Sequence, residues 1–295
     1  MGLFHCPLGA PYYDDDSCID CGLCYAKTHE DKVEASRRIR EYMKAHAART
    51  SAVSKVAVCG KGGSGKTTAV ALLTQAFNEA GRSVIVIDAD ESNPGLGRML
   101  GIRGEPEPIS DLFGEDGLFA ERGKFSMDDI PPGFVSVADG VRFLAVGKIL
   151  DPFQGCACSM AESARQVVEK LELKDGELLI LDMEAGVESF GRGVERHADT
   201  ILMVVEPSFE SIVVAGRIAQ MAQGMGIGRM GAIINKAASD AMASRTREEL
   251  EKLGVKVFGA LNYSREIAEA AFEGKMVKNG AAVREAGAVI AALDK

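Results

Sequence analysis

The 295-residue sequence predicts an α/β fold: a mostly parallel sheet covered by helices on both faces, with a small cysteine-rich segment in front of it. Three observations carry that prediction. From Ser54 onward, short β-branched runs alternate with helical stretches, the pattern of parallel strands joined by crossover helices. A glycine-rich loop from Gly60 to Gly65 stands between the first such strand and its helix. The composition, 46% hydrophobic and 26% charged, is that of an ordinary globular chain and excludes disordered or collagen-like classes.

The elements follow in order. Residues 1–30 hold four of the seven cysteines, with Pro7, Pro11 and the acidic triplet Asp14 to Asp16, and show neither helical nor strand periodicity. Such a segment folds around a metal rather than a core. Thr28 followed by Asp31 resembles a capping box, and Glu34 with Arg38 has the i,i+4 spacing that supports a helix from Glu30 to about Ala48. Residues 31–53 therefore read as a helical linker, and residues 54–295 as the main domain. Its expected strands are Lys55 to Cys59, Val84 to Asp88, Arg142 to Val146, Leu178 to Asp182, Ile201 to Val205, Ala232 to Asn235 and Lys256 to Gly259. Asp139-Gly140 reads as a hairpin turn between Phe134 to Ala138 and Val141 to Val146, which makes one strand antiparallel. Expected helices are Lys66 to Ala80, Met160 to Leu171, Phe209 to Gln223, Ser239 to Leu253, Ser264 to Phe272 and Ala281 to Leu293.

The formal charge of -9 disfavours nucleic acid as a partner, because non-specific affinity for phosphate backbones comes from Lys and Arg. The longest uncharged run of residues 54–295, Thr67 to Asn78, is far short of the roughly 18 apolar residues of a membrane span. No basic n-region with an apolar core opens the chain, and Cys6 stands where a myristoylation signal has Ser or Thr, so a cytoplasmic protein is expected.

Gly60-Lys61-Gly62-Gly63-Ser64-Gly65-Lys66-Thr67 matches the phosphate-binding P-loop in the context its mechanism requires, after a buried strand and opening a helix. Its N–H groups and the helix N-terminus favour phosphate. Lys66 is expected to pair with the β/γ oxygens and Thr67 to offer its hydroxyl oxygen to Mg²⁺. Asp182, in Asp182-Met183-Glu184-Ala185-Gly186, can hold a metal-bound water, and Gly186 can offer a backbone N–H to the γ-phosphate. Asn235 ends a strand with an amide able to meet a purine edge. Residue 238 is Ala where a guanine reader has Asp, so ATP is favoured over GTP.

Cys18-Ile19-Asp20-Cys21-Gly22-Leu23-Cys24 has the spacing by which bacterial ferredoxins wrap a [4Fe-4S] cluster, with Cys6 as a fourth thiolate. Zinc is the rival metal. Cys156-Ala157-Cys158 leaves half a coordination sphere open, and a two-fold axis would complete an S₄ site for Ni²⁺, Zn²⁺, copper(I) or a bridging cluster. Cys59 ends a core strand and reads as packing.

Lys61 with the run through Thr68 resembles the deviant P-loop of the MinD/ArsA/ParA and nitrogenase iron protein families. That resemblance implies a homodimer closed around ATP, Lys61 reaching the partner's nucleotide, Asp90 orienting the attacking water and Asp88 helping to hold the hydrated metal. The resemblance sharpens over residues 54–295. The Asp88-Ala89-Asp90 and Asp182 to Gly186 switches, Gly155-Cys156-Ala157-Cys158, Phe190-Gly191-Arg192-Gly193 and Phe272-Glu273-Gly274-Lys275 are similar to the CooC-type maturation ATPases of carbon monoxide dehydrogenase. The implication is an ATPase coupling nucleotide state to nickel delivery into a client metalloenzyme. The cysteine-rich segment departs from that family and keeps open an ATP-dependent iron–sulfur reductase, or a non-catalytic scaffold or sensor.

Overall fold

The structure, a computed structural model, describes residues 27–46, 53–90, 95–113, 117–119, 121–147, 157–187, 193–224 and 227–293. The predicted cluster ligands Cys6, Cys18, Cys21 and Cys24, and Cys156 of the C-x-C pair, lie outside the described residues.

The chain first forms helix α1 (His29–His46). Its start is the predicted reciprocal cap: Asp31 N–H donates to Thr28 Oγ1 at 3.1 Å, and Thr28 N–H donates to Asp31 Oδ2 at 2.9 Å. Glu34 pairs with Arg38 at 3.2 Å, the expected i,i+4 contact. The main domain follows as β1 (Lys55–Cys59), α2 (Lys66–Glu79), β2 (Ser83–Asp88), α3 (Leu96–Met99), α4 (Ser110–Phe113), β3 (Ser136–Ala138), β4 (Val141–Ala145), α5 (Ala157–Lys170) and β5 (Glu177–Asp182). It continues with β6 (Thr200–Val205), α6 (Phe209–Gly224), β7 (Arg229–Ala237), α7 (Asp240–Lys252), β8 (Val257–Asn262), α8 (Arg265–Phe272) and α9 (Gly280–Leu293).

These strands make one eight-stranded sheet in the order β3-β4-β2-β5-β1-β6-β7-β8. Every neighbouring pair is parallel except β3 with β4. The alternation of side chains along a strand divides the core in two. Val56, Val58, Val84 and Val86 pack with Leu72 and Phe77 of α2 and Val289 of α9 on one face. Ala57, Cys59, Ile85 and Ile87 pack with Val167 of α5 and Ile218 of α6 on the other. Strands buried on both faces explain why the sequence shows continuous apolar runs rather than an apolar/polar alternation.

The differences from expectation are local. Asp139 and Gly140 both have positive φ, 48° and 79°, as the two-residue hairpin turn requires. The strand before it starts only at Ser136, because Pro132–Phe134 form a 3₁₀ turn beginning at a proline that cannot donate to a ladder. Helix α5 begins at Ala157, earlier than the expected Met160, which puts residue 158 in its first turn. Strand β7 runs two residues past Asn235 through a bulge that the apolar pattern does not signal.

One side chain ties the amino ends of the central strands together. Asp199, before β6, accepts from Ser54 N–H at 3.0 Å, Ser54 Oγ at 2.6 Å, Lys55 N–H at 2.7 Å and Thr200 Oγ1 at 2.6 Å. Removing it strands several donors where little water reaches them. Asp199→Ala should therefore lower unfolding free energy by about 2 to 4 kcal/mol. Urea denaturation monitored by circular dichroism would measure this, and a loss below about 1 kcal/mol would show that the tie matters little.

Candidate functional site

The carboxyl ends of β2, β5, β1, β6 and β7 lie side by side and converge on one loop. This is the crevice in which open parallel sheets place their ligands. The loop is Gly60 to Gly65 between β1 and α2. Gly60 has φ 143°, and a Cβ there would lie 2.4 Å from the Val204 carbonyl oxygen of β6, so only glycine lets the loop turn so close to the sheet. Gly65 opens α2 with φ 90°, and a Cβ there would meet Asn235 Nδ2 at 2.3 Å. Gly62 and Gly63 are exposed, Ser64 and Lys66 buried, and Thr67 and Thr68 half-buried in the first turn of the helix. The predicted residues are thus brought together on a helix N-terminus suited to an anion.

Below the loop sit three carboxylates. Asp88 ends β2, Asp90 follows it and Asp182 ends β5; all three are buried, Asp182 to 1% exposure. Asp90 N–H donates to Asp88 Oδ1 at 3.2 Å, closing a tight turn at the end of β2. The Thr67 hydroxyl donates to the Asp182 carboxylate. Burial, reinforced by repulsion from Asp88 and opposed by the Thr67 hydrogen bond and the Lys66 charge, pushes Asp182 up to about 8.

This donor set fits a hydrated Mg²⁺ bound with a nucleotide. Asp182 Oδ1 and Ser64 Oγ are buried without a hydrogen-bond partner, one in the acid cluster and one in the loop. A hard cation needs oxygen donors of this kind, and an orphan buried oxygen is costly unless something completes it. Among the described residues no group of three or more His, Cys, Asp and Glu side chains stands close enough to hold a metal unaided. The Cys158 side chain lies outside what is described, as does all of Cys156, so the C-x-C pair has only a place: the first turn of α5 and the residues before it.

Several groups are engaged in ways the sequence did not signal. Gly186 N–H, expected to face a γ-phosphate, donates to Gly60 O at 3.1 Å and forms an isolated bridge between the loop and the segment after β5. Lys61 Nζ lies 3.1 Å from Glu206 Oε1, at the end of β6. Asn235 is buried and its Nδ2 donates to Ser64 O at 2.9 Å, so it braces the loop whatever else it contacts. Lys236 adopts φ 59°, unusual for a side-chain-bearing residue, and its Nζ donates to Gly63 O and lies 3.8 Å from Glu206 Oε2. Glu206 and Lys236 are the residues that motif reading missed. Their one signal is positional: polar residues at the carboxyl ends of otherwise apolar strands, as Asp88, Asp182 and Asn235 are.

Comparison with known proteins agrees with this geometry. Residues 55–277 match the CobQ/CobB/MinD/ParA nucleotide-binding domain family. An ATP-binding protein of Methanocaldococcus jannaschii is 38% identical over 185 residues, 58% of this chain and 74% of that one. The carbon monoxide dehydrogenase accessory protein CooC of Rhodospirillum rubrum is 34% identical over 201 residues, 63% of this chain and 75% of that one. Among solved structures, the septum site-determining protein MinD of Pyrococcus horikoshii, complexed with Mg-ADP, superposes with a TM-score of 0.63 at 16% identity, covering 80% of this chain and 94% of that one. That last likeness bears on the fold: an α/β P-loop sheet, as predicted.

The raised Asp182 has a consequence for stability. Between the ordinary aspartate value of 3.8 and about 8, the folded chain without nucleotide or metal holds a proton that the unfolded chain has released. The contribution of this group to stability therefore falls as pH rises through that window and is fully lost above it. Calorimetry from pH 5 to 8.5 should show the wild type losing more melting temperature than Asp182→Asn, which cannot ionise. Equal slopes would place the Asp182 pKa in the ordinary range.

Proposed function

The chain belongs to the CobQ/CobB/MinD/ParA nucleotide-binding family, and from that premise we propose that it hydrolyses ATP as a homodimer and couples nucleotide state to delivery of nickel into a client metalloenzyme, as in CooC-type maturation. The observation that carries the ATPase is the buried Asp88, Asp90 and Asp182 cluster beneath the P-loop, with the Thr67 hydroxyl on Asp182 and one Asp182 oxygen left without a partner.

Each side chain has a task in that reaction. Backbone N–H groups of Gly62 to Gly65 cradle the β-phosphate and Lys66 pairs with β/γ oxygens. Thr67, Asp88 and Asp182 hold the hydrated Mg²⁺, which when bound supplies neutralisation of phosphate charge. Asp90 accepts a hydrogen bond from the attacking water and aligns it with the γ-phosphorus. Gly186 N–H leaves Gly60 O for a γ-phosphate oxygen, and Lys61 leaves Glu206 for the nucleotide of the partner subunit. Hydrolysis to ADP then removes the group that kept both in place. Asn235 lies against the base, and Ala238 gives no carboxylate to select guanine.

Nickel or zinc is cargo in this reading. Cys156 and Cys158 of two chains around a two-fold axis make four thiolates, a donor set suited to such metals. Cys6, Cys18, Cys21 and Cys24 would hold a [4Fe-4S] cluster by their ferredoxin-like spacing. The 34% identity to CooC favours this reading over that of an iron–sulfur reductase. So does the C-x-C arrangement itself, since reductases of the iron-protein type place bridging cysteines far apart in sequence.

Two measurements test the proposal. Lys66→Ala should abolish ATP binding, and Asp90→Ala should bind ATP and dimerise yet lose at least about a hundredfold in turnover, because alignment of the water is lost. Retained turnover in either would remove the assignment. Anaerobically purified protein should hold about one Ni²⁺ or Zn²⁺ per dimer. Metal analysis of the Cys156→Ala, Cys158→Ala double variant, with and without ATP, should show that metal gone while the cluster iron stays. Unchanged nickel or zinc content would mean the C-x-C pair is not the carrier site.

A further inference from the structure

The end of β6 carries a carboxylate placed between two lysines. Glu206 Oε1 is 3.1 Å from Lys61 Nζ and Oε2 is 3.8 Å from Lys236 Nζ. Its backbone is held as well, since Glu206 N–H donates to the buried Ser211 Oγ at 3.2 Å. The two lysines differ in freedom. Lys236 is fixed by a bulged strand, a left-handed backbone and a hydrogen bond from its amine to Gly63 O. Lys61, on the loop, pairs with Glu206 and has no such backbone constraint; its side chain is 34% exposed against 46% for Lys236, so the two differ in tethering rather than in access to water.

We propose that Glu206 is a positioning residue that holds Lys61 within its own chain and sets how much phosphate charge is needed to draw Lys61 out, and so makes dimerisation selective for ATP over ADP. The proposal rests on the reading that Lys61 acts across an ATP-closed dimer.

The physical argument is one of competing anions. A carboxylate shared with Lys236 has part of its charge already answered, and the Lys61–Glu206 pair is partly exposed. It is a weak tie of the size surface ion pairs have, one that a stronger anion overcomes. A γ-phosphate adds the charge that a diphosphate lacks. The strained φ of Lys236 makes sense in the same terms: it aims the amine between Gly63 O and Glu206, keeping the carboxylate fixed while the tie to Lys61 stays breakable. A loop lysine with no counter-charge would be free for either nucleotide. Glu206 provides the threshold.

The test is Glu206→Gln, which keeps shape and removes charge. Sedimentation velocity would follow dimer formation against ATP and against ADP, with nucleotide affinity measured on the same samples and melting temperature recorded. The expected result is a roughly two- to fivefold lower ATP concentration at half-dimerisation, the size of one such ion pair, and measurable dimer with ADP. Affinity of the monomer for ADP should stay unchanged. A purely structural role would lower melting temperature and shift ATP and ADP affinity in parallel, and that outcome overturns the proposal. An ATP midpoint equal to wild type overturns it too. Should Glu206→Gln fail to fold, Glu206→Asp, which draws the charge back by one methylene, should give a midpoint below wild type, and an unmoved midpoint there is equally fatal. If wild type forms no dimer with ATP, the dimer reading itself falls and this inference with it. A wild type that dimerises beside an unshifted variant removes the inference alone.

Discussion

Three carboxylates buried at the ends of adjacent strands are expensive, and the architecture of this protein is arranged around making them tolerable. Asp88, Asp90 and Asp182 are all nearly inaccessible, and Asp182 responds to burial and to the Asp88 charge by keeping its proton to about pH 8. What compensates is local: the Lys66 ammonium, the Thr67 hydroxyl and the amino end of α2. Each is delivered by the same strand–loop–helix unit, so the glycines of the loop, the register of β1 between β5 and β6, and the buried acids form one constraint. The compensation is incomplete. A buried Asp182 oxygen and the Ser64 hydroxyl remain unanswered, and a nucleotide with its metal is the chemistry that answers both.

A second layer holds the loop from the far side. Asn235 and Lys236 reach from β7 to the carbonyls of Ser64 and Gly63, so protein donors brace the loop through its carbonyl groups. Gly60 O and Glu206 engage the Gly186 N–H group and the Lys61 ammonium, each through a single hydrogen bond or ion pair. Interactions of that strength are well matched to displacement by phosphate charge.

Most of the fold was legible in the sequence because its signals are local. Strand and helix positions follow from apolar periodicity, and the Asp139-Gly140 turn and the Thr28/Asp31 cap are set by residues adjacent in the chain. The loop, Lys66 and Thr67 were legible from spacing, since phosphate binding requires glycines and a lysine in one order, whereas Asp182 was legible as the acid ending an apolar strand and Asp88 through the resemblance to the deviant P-loop families. Glu206 and Lys236 were not, because their contacts span 145 and 173 residues to the loop and no periodicity encodes a pairing at that distance. The short helices α3 and α4 were missed for another reason: four residues are too few to show a helical face. Cys59 behaved as its strand position implied, buried with its thiol near the Leu202 carbonyl.

The central claim is that the buried acid cluster and the P-loop together form one site for ATP with Mg²⁺. Equilibrium binding of ATP, with and without Mg²⁺, to wild type and to Asp182→Asn tests it most directly. Wild type should bind ATP more tightly when Mg²⁺ is added, and the variant should bind ATP without Mg²⁺ as well as wild type does while losing the increment from Mg²⁺. An equal Mg²⁺ increment in both would contradict the account, since the carboxylate buried at the end of β5 would then have no part in holding the metal.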